Sequence, residues 1–369
     1  MLKHSPFAQA LRVALCGLAC AVSLQAQGSA KAGKTPAPPK ADLVWPAPPD
    51  EPRIKWVAEY RSEFDVGAKK RSGFMDRLTG KREDSMGFRQ PVSVAVDDHG
   101  TVFVGDSRLG IVGLDPVKKK MWLFSKLSPE APTLATGIAV DSKFVYATDA
   151  NQSQVSLFDK EGRRLKTIGA SEGIQRPVGI AVDEARNLLV VVNGGTHQVL
   201  LFDRALKLIK KVASRGEKVG QFNYPTYCCI LPGKGFAVVD TGNFRVQIFS
   251  SEGKFLSTFG QQGDISGSFS RPKGIAVDAE GHIYVVDATF ANFQLFRIDG
   301  QVLVFVGTLG AAPGTFQVPE GIAVGKDGAI WVADTMNKRV QRFQYFPSAK
   351  KEAPAPAKKE EPTPAKGKS

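Results

Sequence analysis

Short apolar runs of four to seven residues alternate with polar turns along most of the chain. In the clearest stretch, Phe269–Arg297, the runs are GIAVD, HIYVVD and FQLFR, and VLVFVGT follows. β-Branched and aromatic residues dominate the runs, while Asp and Gly, such as Gly281 and Gly300, occupy the turns. This pattern predicts short β-strands that are joined by tight turns.

The same four-strand unit recurs six times along the chain. The middle of each first strand marks the period, at Ala95, Ala139, Ala181, Cys229, Ala276 and Ala323. Successive marks lie 42 to 48 residues apart. A period of this length with four strands per unit is typical of a β-propeller. The sequence therefore predicts an all-β fold with six blades.

The two ends of the repeat region predict how the ring closes. The sixth unit lacks a fourth strand, because Pro347 and a polar tail follow its third strand. An unassigned strand-like segment, Ile54–Tyr60, lies upstream of the first unit, and we expect it to complete the last blade and cover two open sheet edges. Its alternation predicts one apolar face that consists of Ile54, Trp56, Ala58 and Tyr60.

The repeated phrase FxxPxGIAVD…IYVADTxNxRVQxF resembles the NHL repeat. The units that begin at Phe222, Phe269 and Phe316 carry it most completely. The resemblance implies a six-bladed NHL propeller over residues 54–346. The segment Trp45–Ile54 is also similar to the segment that precedes the propeller in exported bacterial NHL proteins.

The first 26 residues predict a secretory signal peptide. Lys3 and Arg12 form a basic lead, the apolar run Val13–Leu24 follows, and Ala26 offers a cleavage site. The run is too short to span a membrane. We therefore expect an exported protein, periplasmic or extracellular, without a transmembrane helix in the mature chain. Lipid modification of Cys20, as in an outer-membrane lipoprotein, stays open as an alternative.

Three segments lie outside the regular units. Residues 27–53 and 347–369 are rich in Pro, Ala and Lys, and they predict a linker and a disordered tail because they bury too little apolar surface to fold. Residues 65–87 predict an irregular insertion before the first full blade. Its centre, Ser72–Gly80, has the pattern of a short amphipathic helix that packs on the ring or docks a partner.

The formal net charge of +13 is spread over the chain. Residues 54–346 carry 37 Lys and Arg against 30 Asp and Glu. This excess favours a protein or an anionic envelope polymer as the partner. Some NHL proteins bind RNA, but the predicted export argues against a nucleic acid here.

The four histidines do not predict a metal centre. His4 lies in the predicted signal peptide, and His197 lies on the opposite face of a propeller from His99 and His282. Three histidines therefore cannot converge on one zinc ion, and we expect no metal, no cofactor and no catalytic residue. The chain is thus predicted to be a non-enzymatic binding or scaffolding module. Two alternatives stay open: an enzyme that resembles propeller lactonases or lyases, and an assembly factor for exported redox proteins.

An aspartate ends the second strand of five units, at Asp106, Asp149, Asp240, Asp287 and Asp334. Carboxylates repeated around a ring would suit calcium. The same residue in each blade more simply predicts a structural cap that accepts hydrogen bonds from backbone N–H groups of the following turn.

Cys228 and Cys229 are neighbours on one predicted strand, so their side chains point to opposite faces of the sheet. We expect two buried thiols, with a strained disulfide between them as the alternative.

One side of the propeller is the candidate binding surface. In such folds the second-to-third-strand loops and the connections between blades share one side, which we call the rim. Aromatic and arginine side chains are frequent anchors of protein interfaces. The predicted binding residues on the rim are Arg108, Arg176, Tyr224, Phe244, Arg271, Lys273, Phe290, Glu320 and Lys338. Lys273 and Glu320 occupy equivalent places in adjacent blades, so mutual pairing is an alternative role.

Overall fold

A computed structural model of the protein describes residues 42–68, 85–124 and 134–347. The predicted signal peptide with Cys20, the start of the linker, the centre of the insertion and the tail after Pro347 lie outside the described residues. Within these ranges two short 3-10 turns, Ala170–Glu172 and Thr241–Asn243, have both ends described, and Phe124 at the end of its range is also helical. The described part of the chain thus contains no helix that is long and apolar enough to cross a membrane.

The strands follow the apolar runs of the sequence. In chain order they are β1 (Val44–Trp45), β2 (Ile54–Tyr60), β3 (Pro91–Val96), β4 (Val102–Asp106), β5 (Gly110–Asp115), β6 (Lys120–Leu123), β7 (Ala135–Val140), β8 (Phe144–Asp149), β9 (Gln154–Asp159), β10 (Arg164–Ile168), β11 (Pro177–Asp183), β12 (Leu188–Asn193), β13 (Gln198–Phe202), β14 (Leu208–Val212), β15 (Pro225–Leu231), β16 (Gly235–Asp240), β17 (Arg245–Phe249), β18 (Phe255–Phe259), β19 (Pro272–Val277), β20 (Ile283–Asp287), β21 (Asn292–Phe296), β22 (Val302–Val306), β23 (Pro319–Val324), β24 (Ala329–Asp334) and β25 (Arg339–Tyr345).

These strands form six antiparallel sheets, and the predicted six-bladed all-β propeller is confirmed. Blades 1 to 5 each consist of four consecutive strands, from β3–β6 to β19–β22. Blade 6 has the order β1-β2-β25-β24-β23. The predicted closure by the upstream strand is therefore also confirmed, because β2 pairs with β25.

The prediction of a single apolar face on β2 is wrong. The register shifts between Trp56 and Ala58, and Val57 bulges outward with 41% of its surface exposed. A bulge inserts one residue into a strand with a side-chain period of two. Ile54 and Trp56 consequently pack toward blade 5, whereas Ala58 and Tyr60 pack toward blade 1. The closing strand thus contributes to both neighbouring interfaces.

The fold begins earlier than the expected boundary at residue 54. β1 pairs with the start of β2, and the amide of Trp56 donates to the carbonyl of Leu43 at 2.9 Å. The Trp45 ring packs edge-on against Phe343 with centroids 5.8 Å apart. Blade 6 therefore has five strands.

Six hydrophobic clusters fill the spaces between blades, and each combines residues of two neighbours. One of them joins blade 6 to blade 1, through Trp331 and Val340 on one side and Val102 and Val104 on the other. An open row of six sheets would have only five such interfaces. The ring is thus closed by apolar packing as well as by strand pairing. Burial of apolar side chains in this sixth interface stabilises the closed ring.

Candidate functional site

The rim is organised by the aspartates that end the second strands. In blade 1, Asp106 accepts hydrogen bonds from the amides of Arg89 at 2.7 Å and Gln90 at 2.9 Å. Its other oxygen accepts from the amide of Arg108 at 2.9 Å. Asp287 makes the same set of contacts in blade 5, with Arg271 and Phe290 among its donors. One buried carboxylate therefore holds a connection between blades beside a second-to-third-strand loop.

The other blades use variants of this arrangement. Asp149 accepts from the amides of Asn151 and Gln152, both at 2.9 Å. Asp240 and Asp334 each accept one backbone amide from the preceding connection, and their remaining donors are side chains of the following Asn-x-Arg-Val-Gln segment. Burial raises the pKa of both Asp240 and Asp334. In blade 3, Asn193 takes the place of aspartate and accepts from the amide of Gln175 at 2.7 Å.

The first strands of the blades meet closely around the propeller axis. A Cβ atom on Gly137 would lie 2.2 Å from the carbonyl oxygen of Val178 in the next blade, and one on Gly274 would lie 2.2 Å from that of Glu320. In these two blades glycine is therefore required by the close approach of adjacent strands.

Blade 4 carries Tyr227 where most blades carry this glycine. Its hydroxyl oxygen lies 2.8 Å from the carbonyl oxygen of Val92 in blade 1 and 3.1 Å from that of Thr136 in blade 2. The Tyr227 side chain therefore crosses the axis and plugs the channel. Sequence reasoning missed this residue, although a tyrosine in a glycine position was the available signal.

The Tyr227 side chain closes the axial channel, so the mouth of the channel is a hollow with a closed inner end. Above Tyr227 lies a hollow of about 430 Å³, which we call the axial cup, and its walls include Val92, Thr136, Val178 and Glu320. Gln90 and Arg108 lie on its edge toward blade 1. The cup opens on the rim, because both of these residues belong to rim loops of blade 1.

A second hollow of about 580 Å³ lies between blades 6 and 1, and we call it the outer cleft. It is lined by Phe88, Arg89, Gln90, Arg108, Met336 and Lys338, with Ser85, Gly87 and Thr335 completing it. Gln90 and Arg108 line both hollows, so the cup and the cleft adjoin over blade 1. Together they form one groove from the axis to the margin of the ring.

Three cations surround the outer cleft: Arg89, Arg108 and Lys338, all exposed. Nε of Arg108 donates to Oε1 of Gln90 at 3.1 Å. None of the three forms an ion pair with an acidic side chain in residues 42–68, 85–124 or 134–347. The cleft therefore combines concentrated positive charge with guanidinium groups that can bind carboxylate or phosphate groups bidentately.

Lys273 and Glu320 lie within the first strands β19 and β23, not in loops, and both are half-buried near the axis. Burial lowers the pKa of Lys273 and raises that of Glu320. The charge of each residue partly offsets the shift in the other's pKa. No ion pair within 4.0 Å joins the two among the described side chains. Glu320 thus presents a half-buried carboxyl group to the cup.

The remaining predicted rim residues do not line the groove. Arg176 and Tyr224 are exposed, and the Tyr224 ring packs on His197 with centroids 4.5 Å apart. Phe244 is half-buried against the core between blades 4 and 5. Phe290 lines a separate hollow of about 310 Å³ beside Ile265. Arg271 is exposed and belongs to the connection before blade 5.

None of the histidines or cysteines in the described residues lines the axial cup or the outer cleft. His282 contacts Asp278 with Nδ1 3.0 Å from Oδ2, in a first-to-second-strand turn. The described residues contain no group of three or more His, Cys, Asp and Glu side chains that could hold a metal ion. Cys228 and Cys229 are free, buried thiols on opposite sheet faces, and burial raises the pKa of Cys229 to about 12.

Comparison with protein families identifies the repeat. The NHL repeat family matches residues 269–298 and 316–343, which cover most of the fifth and sixth units. The chain therefore carries NHL repeats in its fifth and sixth units, within a six-bladed β-propeller. No curated protein matches the chain.

Solved structures share the propeller at low sequence identity. A Bacteroides thetaiotaomicron protein of unknown function is 18% identical with a TM-score of 0.59, over 70% of each chain. An auxiliary nutrient binding protein from the same organism is 15% identical with a TM-score of 0.57, over 71% of this chain and 70% of that one. Virginiamycin B lyase from Staphylococcus aureus is 14% identical with a TM-score of 0.51, over 70% of this chain and 95% of that one. Likeness at this level shows the fold alone.

Proposed function

We propose that this protein is an exported, non-enzymatic binding or scaffolding module that engages a partner in the cell envelope through its rim. The observation that carries the proposal is the outer cleft, whose cations Arg89, Arg108 and Lys338 have no acidic partner in the described part of the chain. A hollow of about 580 Å³ is of the size that ligand sites occupy. Unpaired charge around it favours a partner of opposite charge.

The rim also carries the residue types that protein interfaces favour. Tyr224 is 61% exposed and Met336 is 56% exposed, and Met336 lines the outer cleft together with Arg89, Arg108 and Lys338. Interfaces are enriched in aromatic residues, Met and Arg. The closed ring holds these loops on rigid strands, so a partner can bind without first ordering them.

Site-specific photo-crosslinking in the native host tests this proposal. A photoreactive amino acid replaces Met336 on the rim in one variant, and Val117 in the other. Val117 is 87% exposed and lies in a third-to-fourth-strand turn on the opposite face, which makes it a matched control.

We expect a discrete adduct in the envelope fraction from position 336 and none from position 117. Equal labelling from both faces, or no adduct from position 336, would contradict binding through the rim. Recovery of the protein only from the cytoplasm would contradict export. Turnover of lactone or ester substrates by the purified protein would contradict the non-enzymatic role.

A further inference from the structure

We propose that the groove formed by the outer cleft and the axial cup binds an extended acidic peptide segment of a partner protein. Acidic side chains of the segment lie in the outer cleft, and its backbone continues toward Glu320. This inference rests on the proposed use of the rim and adds the chemistry of the partner.

The positive charge of the outer cleft favours an anionic ligand. Arg89 and Arg108 are held side by side because Asp106 fixes the amides of both, at 2.7 and 2.9 Å. Lys338 approaches from blade 6 on the other side of the cleft. Guanidinium groups bind carboxylates through two parallel hydrogen bonds, so acidic side chains match this end.

Apolar surface in the groove favours a peptide over a sugar-phosphate or polyphosphate chain. The accessible apolar surface comes mainly from Met336, 56% exposed, in the outer cleft and from half-buried Val178 in the cup, whereas Phe88 and Val92 are buried behind the lining. Methionine adapts its shape to different apolar side chains. An amphipathic peptide would bury this apolar surface, whereas a uniformly charged polymer would leave it exposed to water.

The axial end of the groove disfavours a ligand that is anionic along its whole length. Glu320 faces the cup and forms no hydrogen bond or ion pair within the described residues, and the charges of Lys273 and Arg271 act on it from beside the cup. Phosphate groups in the cup would stand against its carboxylate. The backbone N–H groups of a peptide would instead donate to it, because a half-buried carboxylate gains from added donors. The lining of the groove therefore has a polarity: Arg89, Arg108 and Lys338 at the outer end, and the Glu320 carboxyl group at the axial end.

Fluorescence anisotropy with synthetic probes tests the inference on the full chain. The first probe is a labelled ten-residue peptide with glutamates in one half and leucine and serine in the other. The competitors are an all-glutamate peptide of the same length and a polyphosphate. The variants are Arg108→Glu, Lys338→Glu and, as the matched control, Lys234→Glu, whose side chain is exposed on the opposite face.

We expect the half-acidic peptide to bind more tightly than either competitor. Reversal of Arg108 or Lys338 should weaken it about tenfold or more, as loss of a charge-assisted contact does, and reversal of Lys234 should leave it unchanged. Equal effects of Lys234→Glu and Arg108→Glu would overturn the inference, as would tighter binding of polyphosphate or no binding of the peptide. If the rim crosslinks to its partner at position 336 while the peptide fails to bind, the inference falls and the proposed function stands.

Discussion

Arg339 is the cation on which blade 6 depends most, and its replacement by alanine should destabilise the whole ring. Its side chain is fully buried. Nε donates to Oδ2 of Asp334 at 2.7 Å, and the guanidinium also bonds Glu59 on the closing strand β2. It further donates to the carbonyl oxygens of Ala311, Ala312 and Thr315, at 2.8 to 2.9 Å. One side chain thus links the aspartate, the connection before blade 6 and the closing strand.

The expected loss follows from what Arg339→Ala leaves behind. Asp334 is also fully buried and would keep a carboxylate without its cation, while three carbonyl groups would lose a donor. Removing one partner of a buried ion pair costs about 3–5 kcal/mol. With an unfolding entropy of about 2.1 cal/mol/K per residue over the roughly 280 described residues, this corresponds to a fall in Tm of about 5–8 °C.

Thermal unfolding by circular dichroism measures the effect, with Arg342→Ala as the control. Arg342 lies on the same strand but is only half-buried, with its guanidinium 5.5 Å from the centre of the Trp331 ring and 3.7 Å from the exposed carboxylate of Asp327, a pair that adds little stability. Loss of such a contact costs about 0.5–2 kcal/mol. If Arg339→Ala melted within a degree or two of Arg342→Ala, the buried network would not hold blade 6 together.

Three further perturbations test other parts of the structure. Tyr227→Phe removes the hydroxyl group that bridges two blades, and urea unfolding should show a loss of about 1–2 kcal/mol; Tyr224→Phe on the exposed rim should show none. Glu320→Gln should melt higher than the native chain at neutral pH. Because burial raises the pKa of Glu320, the native chain loses stability as pH rises from the ordinary pKa of a glutamate through this raised pKa. The difference in Tm between Glu320→Gln and the native chain should therefore vanish in acid. A Tm of Glu320→Gln below that of the native chain at neutral pH would contradict this. Cys228 and Cys229 should resist a thiol reagent until the chain unfolds, since burial raises the pKa of both thiols; prompt labelling of the native protein would show that they are not buried.

Much of the fold was predictable because each blade is a local unit. The strands predicted around Ala276 correspond to β19–β22 within one or two residues, since turn residues such as Gly281 and Gly300 fix their limits. The β1 strand was not predicted, because two residues before a proline-rich stretch give no periodic signal. The bulge at Val57 was not predicted either, since one inserted residue leaves an alternating pattern that still reads as one face.

The groove could be predicted only in part. Arg108 and Lys338 were predicted to lie on the rim, because their loops follow from the repeat. Their meeting across one cleft depends on the contact between the first and last blades, which no local pattern encodes. The depth of the axial cup depends on the direction of a single side chain, that of Tyr227, and on the size of its neighbours. How far side chains fill the space where six first strands meet depends on three-dimensional packing, which a local sequence pattern does not encode.

The outer cleft exists only if the ring is closed, because its walls come from blades 6 and 1. Lys55 on β2 lies directly opposite Gln344 on β25, and paired residues of antiparallel strands have Cα atoms at distances that a disulfide can bridge. A chain with Cys16 and Cys20 replaced by serine and carrying Lys55→Cys and Gln344→Cys should therefore oxidise to one monomeric form that migrates faster on a non-reducing gel. The pair Lys55→Cys with Lys234→Cys, which belong to different blades, should not. If the Lys55→Cys, Gln344→Cys pair stayed reduced under the same oxidant, or formed only dimers, the closing strand would not lie in blade 6 and the groove would lose its structural basis.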